Sequence, residues 1–177
     1  MRIIAGQYKG KNLKYPKNHS FRPTQSKVKE ALFNIIQDRV GDSVFLDLFC
    51  GTGAIGLEAL SRGARKVVFS DENTQLLKQN LQGIPPECYQ VVAGDIKKFF
   101  KFNQEKFNII FLDPPWKEAS LYEYTLKAIF EFDILETGLI ICEHYKKIEV
   151  KNGFPAGKVR TYKYGSTYLT VYDHTTQ

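Results

Sequence analysis

Four short apolar runs of this chain each finish on or beside an aspartate, and that rhythm restricts the fold more than any other feature. They are Val44-Phe45-Leu46-Asp47-Leu48, Val67-Val68-Phe69-Ser70-Asp71, Tyr89-Gln90-Val91-Val92-Ala93 followed by Gly94-Asp95, and Phe107-Asn108-Ile109-Ile110-Phe111-Leu112-Asp113. Runs this short and this apolar, alternating with stretches of helical spacing, read as βαβ units of a parallel sheet covered on both faces. Such sheets bind ligands beyond the carboxyl ends of their strands, which is where the acids fall. Taken singly, each aspartate also suits a turn or a helix cap. The repetition favours a binding edge.

The first run leads into Gly51-Thr52-Gly53-Ala54-Ile55-Gly56 and then an amphipathic stretch with Ile55, Ala59 and Leu60 on one face. This is strand, glycine loop, helix. Glycines allow the tight turn and a close backbone approach, and the helix start offers free N–H groups. Gly51-x-Gly53-x-x-Gly56 followed by Asp71 is literally the dinucleotide fingerprint, with the acid placed for ribose hydroxyls. That loop ordinarily receives a pyrophosphate, whereas the charge of Asp47 opposes phosphates and favours a cationic ligand. S-adenosylmethionine (SAM) is such a ligand, with a sulfonium, an ammonium and a ribose but no phosphate.

The fourth run stops at Asp113-Pro114-Pro115-Trp116. Proline fixes φ and lacks an N–H, so the corner is stiff and its carbonyls have few backbone partners. An acceptor pair beside a flat aromatic face suits a planar base with an exocyclic amine. The plain structural reading is a strand ending in a Pro-Pro turn with a core tryptophan.

Eight basic residues and no acid lie in the first 29 residues, while the other 148 hold 17 basic and 19 acidic groups. The excess of the net +6 therefore sits in one arm, the footprint of a polyanion partner or of a solvated surface. Three scattered cysteines and isolated histidines suggest no disulfide set and no metal site. No run approaches the ~20 apolar residues of a membrane span, and the amino terminus lacks a signal-peptide pattern. We therefore expect a cytoplasmic protein with no membrane partner.

Residues 2 to 15 suggest a short β-hairpin. Thr24 reads as the N-cap of a helix with Val28, Ala31, Leu32, Ile35 and Ile36 on one side. A helix over 74–81, another after the Pro-Pro corner, a fifth strand at Leu139-Ile140-Ile141-Cys142 and an antiparallel hairpin over 158–172 complete the pattern. The organisation expected is a basic arm, residues 1–23, and one domain, residues 24–177.

Several of these motifs together are familiar. The chain resembles the Rossmann-like class I SAM-dependent methyltransferases, and among them the RsmD-type enzymes that methylate guanine N2 in bacterial 16S ribosomal RNA. Arg2-Ile3-Ile4-Ala5-Gly6 with Lys9-Gly10-Lys11, then Arg22-Pro23-Thr24 with Val28-Lys29-Glu30-Ala31-Leu32-Phe33-Asn34, carry the specific part of the likeness. Asp47 to Gly53, Gly56 to Ala64, Asp113-Pro114-Pro115-Trp116 and Tyr164-Gly165-Ser166-Thr167 carry the rest. Cys50, Asp71 and Trp116 depart from the family's commoner Ala, Glu and Tyr or Phe.

The resemblance implies an α/β fold: a mostly parallel seven-stranded sheet, an antiparallel C-terminal hairpin, and a small N-terminal hairpin plus helix. It implies SAM as methyl donor, S-adenosyl-L-homocysteine (SAH) as product, and no metal. Asp47, Phe49, Gly51 and Gly53 would line the methionine end, Asp71 with Glu72 the ribose, and Asp95 with Ile96 the adenine. Asp113, Pro114, Pro115 and Trp116 would be catalytic. Arg2, Lys9, Lys11, Arg22, Lys27 and Lys29 would face RNA. The partner would be ribosomal RNA or the assembled small subunit, met by a monomer. A DNA amino-methyltransferase and, further off, a NAD-dependent oxidoreductase are the alternatives.

Overall fold

A computed structural model describes residues 1–16, 23–115, 119–145 and 157–175. Arg22 and Trp116 lie outside the described residues, as do His19 and Lys17. Alternation of chemistry along the chain is met by alternation of elements: α1 (Pro23–Ile35), β1 (Val44–Leu48), α2 (Ala54–Ser61), β2 (Lys66–Asp71), α3 (Gln75–Asn80), a 3-10 turn (Pro86–Cys88), β3 (Tyr89–Ala93), α4 (Ile96–Phe102), β4 (Phe107–Leu112), α5 (Ala119–Glu131), β5 (Leu135–His144), β6 (Lys158–Tyr164) and β7 (Thr167–His174).

The seven strands form one sheet in the order β3-β2-β1-β4-β5-β7-β6. Strands β1 to β5 pair in parallel, and β7 joins β5 and β6 antiparallel. The strand order reverses between β1 and β4, the switch point where open α/β sheets leave a crevice. The register sets Asp47 opposite Phe69 and Phe111, and Leu112 opposite Cys142. The first four strands thus finish at one edge.

Side chains alternate across the sheet into two apolar layers. Phe45, Phe69, Phe111 and Ile141 join Val28, Leu32, Leu57 and Leu77 from α1, α2 and α3. Leu46, Val68, Ile110, Leu112 and Cys142 join Phe99, Phe100, Tyr122 and Leu126 from α4 and α5. At roughly 25 cal/mol per Å², burial on both faces explains why these strands read as continuous apolar runs.

The expected N-terminal hairpin is present in minimal form, as one antiparallel bridge between Arg2 and Asn12. Ile3 and Leu13 bury into the first layer. Glu58 of α2 anchors the arm: its carboxylate accepts the N–H of Ile4 at 2.8 Å and of Ala5 at 3.1 Å. Helix α1 begins two residues earlier than expected. Pro23 is its first helical residue, so Thr24 lies inside the first turn and is not the cap. Proline suits that position because its missing N–H would have no helical acceptor there. Strand β5 is longer than the apolar run announced, from Leu135 to His144.

Candidate active site

The glycine loop is held by carboxylates. Asp47 is buried on β1, and its Oδ2 accepts the N–H of Gly56 at 2.8 Å, tying the strand to the first turn of α2. Gly51 N–H donates to Asp71 Oδ2 at 2.8 Å, and Asn73 N–H donates to Asp71 Oδ1 at 2.9 Å. The loop between β1 and α2 is therefore clamped to the end of β2. Gly53 has φ 76°, and a Cβ there would stand 2.4 Å from Leu77 Cδ1, so both conformation and space call for glycine. Phe49, at φ 60°, holds a left-handed conformation unusual for an aromatic residue.

Beyond these strand ends lies a cavity of about 480 Å³. Its wall contains Phe49, Asp71, Glu72, Asp95 and Ile96 on one side and Asp113, Pro114 and Pro115 on the other. Asp95 is also the N-cap of α4, its Oδ1 accepting Lys97 N–H at 2.6 Å. Asp47, Gly51 and Gly53, expected beside the cofactor, are not part of this wall. Asp47 is sealed among β1, β2 and α2.

The acids are electrostatically loaded. Burial pushes Asp47 up to about 7, against the Gly56 hydrogen bond and with help from the negative charges of Asp71 and Asp113. Burial likewise pushes Asp113 up to about 7. Asp113 Oδ1 is buried and has no hydrogen-bond partner among the described residues. Asp47 and Asp113 make no ion pair among the described residues, and a cationic or amine-bearing ligand would supply the countercharge that ordinarily accompanies buried acids. The donor set of SAM, two positive centres and a ribose diol, fits these residues.

Sequence reasoning missed Glu143 and Tyr122. Glu143 follows Cys142 on β5, and burial with the charge of Asp113 pushes it up to about 8. Tyr122 Oη donates to the Glu143 carbonyl. The signal was available: β5 is a fifth apolar run ending on an acid. Lys29 is a correction. It was expected to face RNA, yet it is buried, its Nζ donating to the Arg2 carbonyl at 2.8 Å and lying 3.0 Å from Glu58 Oε2. Glu58 on α2 and the Arg2 carbonyl, which draw its ammonium inward, account for this. Arg2, Lys9 and Lys27 are exposed, and Lys11 spans to the Gln82 carbonyl at 2.5 Å.

This architecture has known counterparts. The family described as Conserved hypothetical protein 95 matches residues 1–173. The chain belongs to that family. Ribosomal RNA small subunit methyltransferase D of Escherichia coli (strain K12) is 35% identical over 158 residues, covering 88% of this chain and 78% of that one. YlbH of Bacillus subtilis is 37% identical over 182 residues, covering 97% and 98%. The structure of the Escherichia coli protein yhhF superposes with a TM-score of 0.87 at 30% identity, over 100% of this chain and 99% of that one. Membership in the Conserved hypothetical protein 95 family and the sheet order together make this a class I methyltransferase fold of the RsmD type.

Proposed function

We propose that this protein methylates ribosomal RNA, transferring the methyl group of SAM to the exocyclic N2 amine of one guanine in 16S rRNA and leaving SAH. The observation that carries this reading is Asp113 Oδ1, a buried acceptor without a partner at the foot of a Pro-Pro corner that faces the cavity. The likeness to Escherichia coli methyltransferase D supports the rRNA substrate. The carboxylate-bound loop supports SAM over NAD: Gly51 and Gly56 spend their N–H groups on Asp71 and Asp47, where a pyrophosphate would need them.

When bound, SAM supplies an electrophilic methyl on a sulfonium, so the protein need not contribute a nucleophile. Asp71 with Glu72, and Asp95 with Ile96, line the part of the cavity suited to the ribose and adenine. Asp47, beneath the loop, adds negative charge next to the positive end. The protein's harder task is the acceptor amine, whose lone pair is shared with its ring. Asp113 and the Pro114 carbonyl accept its two N–H groups, which favours a tetrahedral nitrogen and stabilises the positive charge that builds there. Asp113 would take up the proton that the amine gives up when the methyl group of bound SAM is transferred. By the family resemblance Trp116 would stack on the base, worth about 1–3 kcal/mol. The base must leave its stack to enter. Arg2, Lys9, Lys11 and Lys27, within the basic arm and the start of α1, bind backbone phosphates, and the family resemblance gives Arg22 the same role.

Labelled SAM tests the reading. Small ribosomal subunits from a strain lacking this protein should take up about one methyl group each, duplex DNA none, and NAD should not compete. Asp113→Ala should lower the rate at least about 100-fold, the scale of a lost charge-stabilising group, with SAM still bound. Transfer to DNA alone would favour the amino-methyltransferase alternative instead.

A further inference from the structure

The sheet register leaves Asp113 with an acidic neighbour. Leu112, the last residue of β4, stands opposite Cys142 on the parallel strand β5, and the residue that follows each is a carboxylate, Asp113 and Glu143. Alternation along β5 turns Glu143 to the same face as Ile141, away from Cys142. The position is braced: Tyr122 Oη binds the Glu143 carbonyl, and β7 pairs Glu143 with Leu169. The Glu143 carboxylate makes no ion pair among the described residues, although it is half-buried beside a second acid. Asp113 Oδ1 is buried with no hydrogen-bond partner among the described residues. Two neighbouring carboxylates, one with a buried oxygen that lacks a donor, suit a ligand that brings two donors side by side.

The edge of a flipped-out base decides what that ligand is. In guanine the N2 amine adjoins N1–H, two donors side by side. In adenine and cytosine the exocyclic amine adjoins a ring nitrogen with a lone pair. A carboxylate facing that lone pair would repel it.

We propose that Glu143 is a specificity-determining residue, its carboxylate accepting the N1–H of guanine while Asp113 accepts an N2–H. The inference rests on the methyltransferase reading above and deepens it, since it states why the amine belongs to guanine. Asp113 serves the transfer, and Glu143 selects the base.

The test uses small subunits reconstituted from 16S rRNA in which the guanine modified by the parent protein is either kept or replaced by 2,6-diaminopurine. That analogue keeps the N2 amine but exchanges N1–H for a lone pair. The parent protein should prefer guanine by at least about 100-fold in kcat/KM, in line with sites that hydrogen-bond a substrate N–H. Glu143→Gln can turn either an acceptor or a donor toward N1, so the preference should shrink at least about tenfold, the factor set by a hydrogen bond to a charged group. Glu143→Ala should lower guanine methylation about 10- to 100-fold with SAM affinity and Tm unchanged. A guanine preference that survives Glu143→Gln, or guanine methylation that survives Glu143→Ala, would overturn the role of Glu143 alone. A parent protein that methylates adenine or cytosine instead would overturn the guanine reading and this inference with it. A loss of Tm in Glu143→Ala would leave the Glu143→Gln preference ratio to decide, because folding defects scale both substrates equally.

Discussion

Lys29 Nζ stands 3.0 Å from Glu58 Oε2 with both side chains out of solvent, 3% and 0% exposed, and Arg62 Nε meets the other Glu58 oxygen at 2.9 Å. Burial alone would push Glu58 up, but the Ile4 N–H and these two cations outweigh it and hold the carboxyl below its ordinary range. The cluster joins α1, α2 and the N-terminal arm at one carboxylate. Removing one partner of a buried pair strands the other, so Glu58→Ala should cost about 3–5 kcal/mol. Urea unfolding should show that loss, and limited proteolysis should find the arm newly cleavable.

The same burial separates two lysines only two residues apart. Lys27 is exposed and Lys29 is not. Lys27→Ala should weaken binding to rRNA and reduce the slope of log K against log salt by about 0.7–0.9, one phosphate contact. Lys29→Gln should leave that slope unchanged while lowering Tm. Fluorescence titrations at several salt concentrations check both.

Asp47 should make SAM binding depend on pH. Its folded pKa of about 7 lies above the ordinary carboxylate value because burial opposes the charge. The sign is opposite to that of a salt-bridged acid: ionisation costs stability in the free protein, so its contribution is present at acid pH and is lost as pH rises through about 7. A cationic ligand favours the ionised form. SAM affinity should therefore rise about tenfold from pH 6 to pH 7.5 and level off above. SAH, without the sulfonium, should respond less. Calorimetry of parent and Asp47→Asn, in which the slope should shrink to the part that Asp113 contributes, checks the point.

Gly56 sets how closely α2 lies on the sheet. A Cβ there would stand 2.3 Å from Phe69 Cε1 and 2.8 Å from Val67 Cγ1. Its backbone is helical, so Gly56→Ala tests packing without conformational strain. Overpacking at this contact should cost about 1–3 kcal/mol and weaken SAM binding, since Gly56 N–H also anchors Asp47. Thermal melts with and without SAM measure the two effects.

Much of this was legible in the residues themselves. Parallel strands covered on both faces announce themselves as apolar runs, Gly51 and Gly53 mark a left-handed loop, and Gly56 marks a close contact of helix with sheet. What stayed hidden depends on contacts between distant elements. Nothing local tells Lys29 from Lys27 until Glu58, 29 positions away, arrives beside one of them. Asp71 looked like a ribose ligand, and the structure adds that it also clamps Gly51. Glu143 was passed over because its run ends in Cys142-Glu143-His144 without a glycine or proline to draw the eye. Its relation to Asp113 exists only in the register of β4 with β5.

The central claim is that a buried, unpartnered Asp113 serves an amino base. Nucleoside mass spectrometry of small-subunit rRNA, methylated by the parent protein and by Asp113→Ala, tests it most directly. The account predicts one N2-methylguanosine per subunit with the parent and none with the variant, SAM being bound by both. No new N2-methylguanosine with the parent, or the same amount from Asp113→Ala, would contradict it.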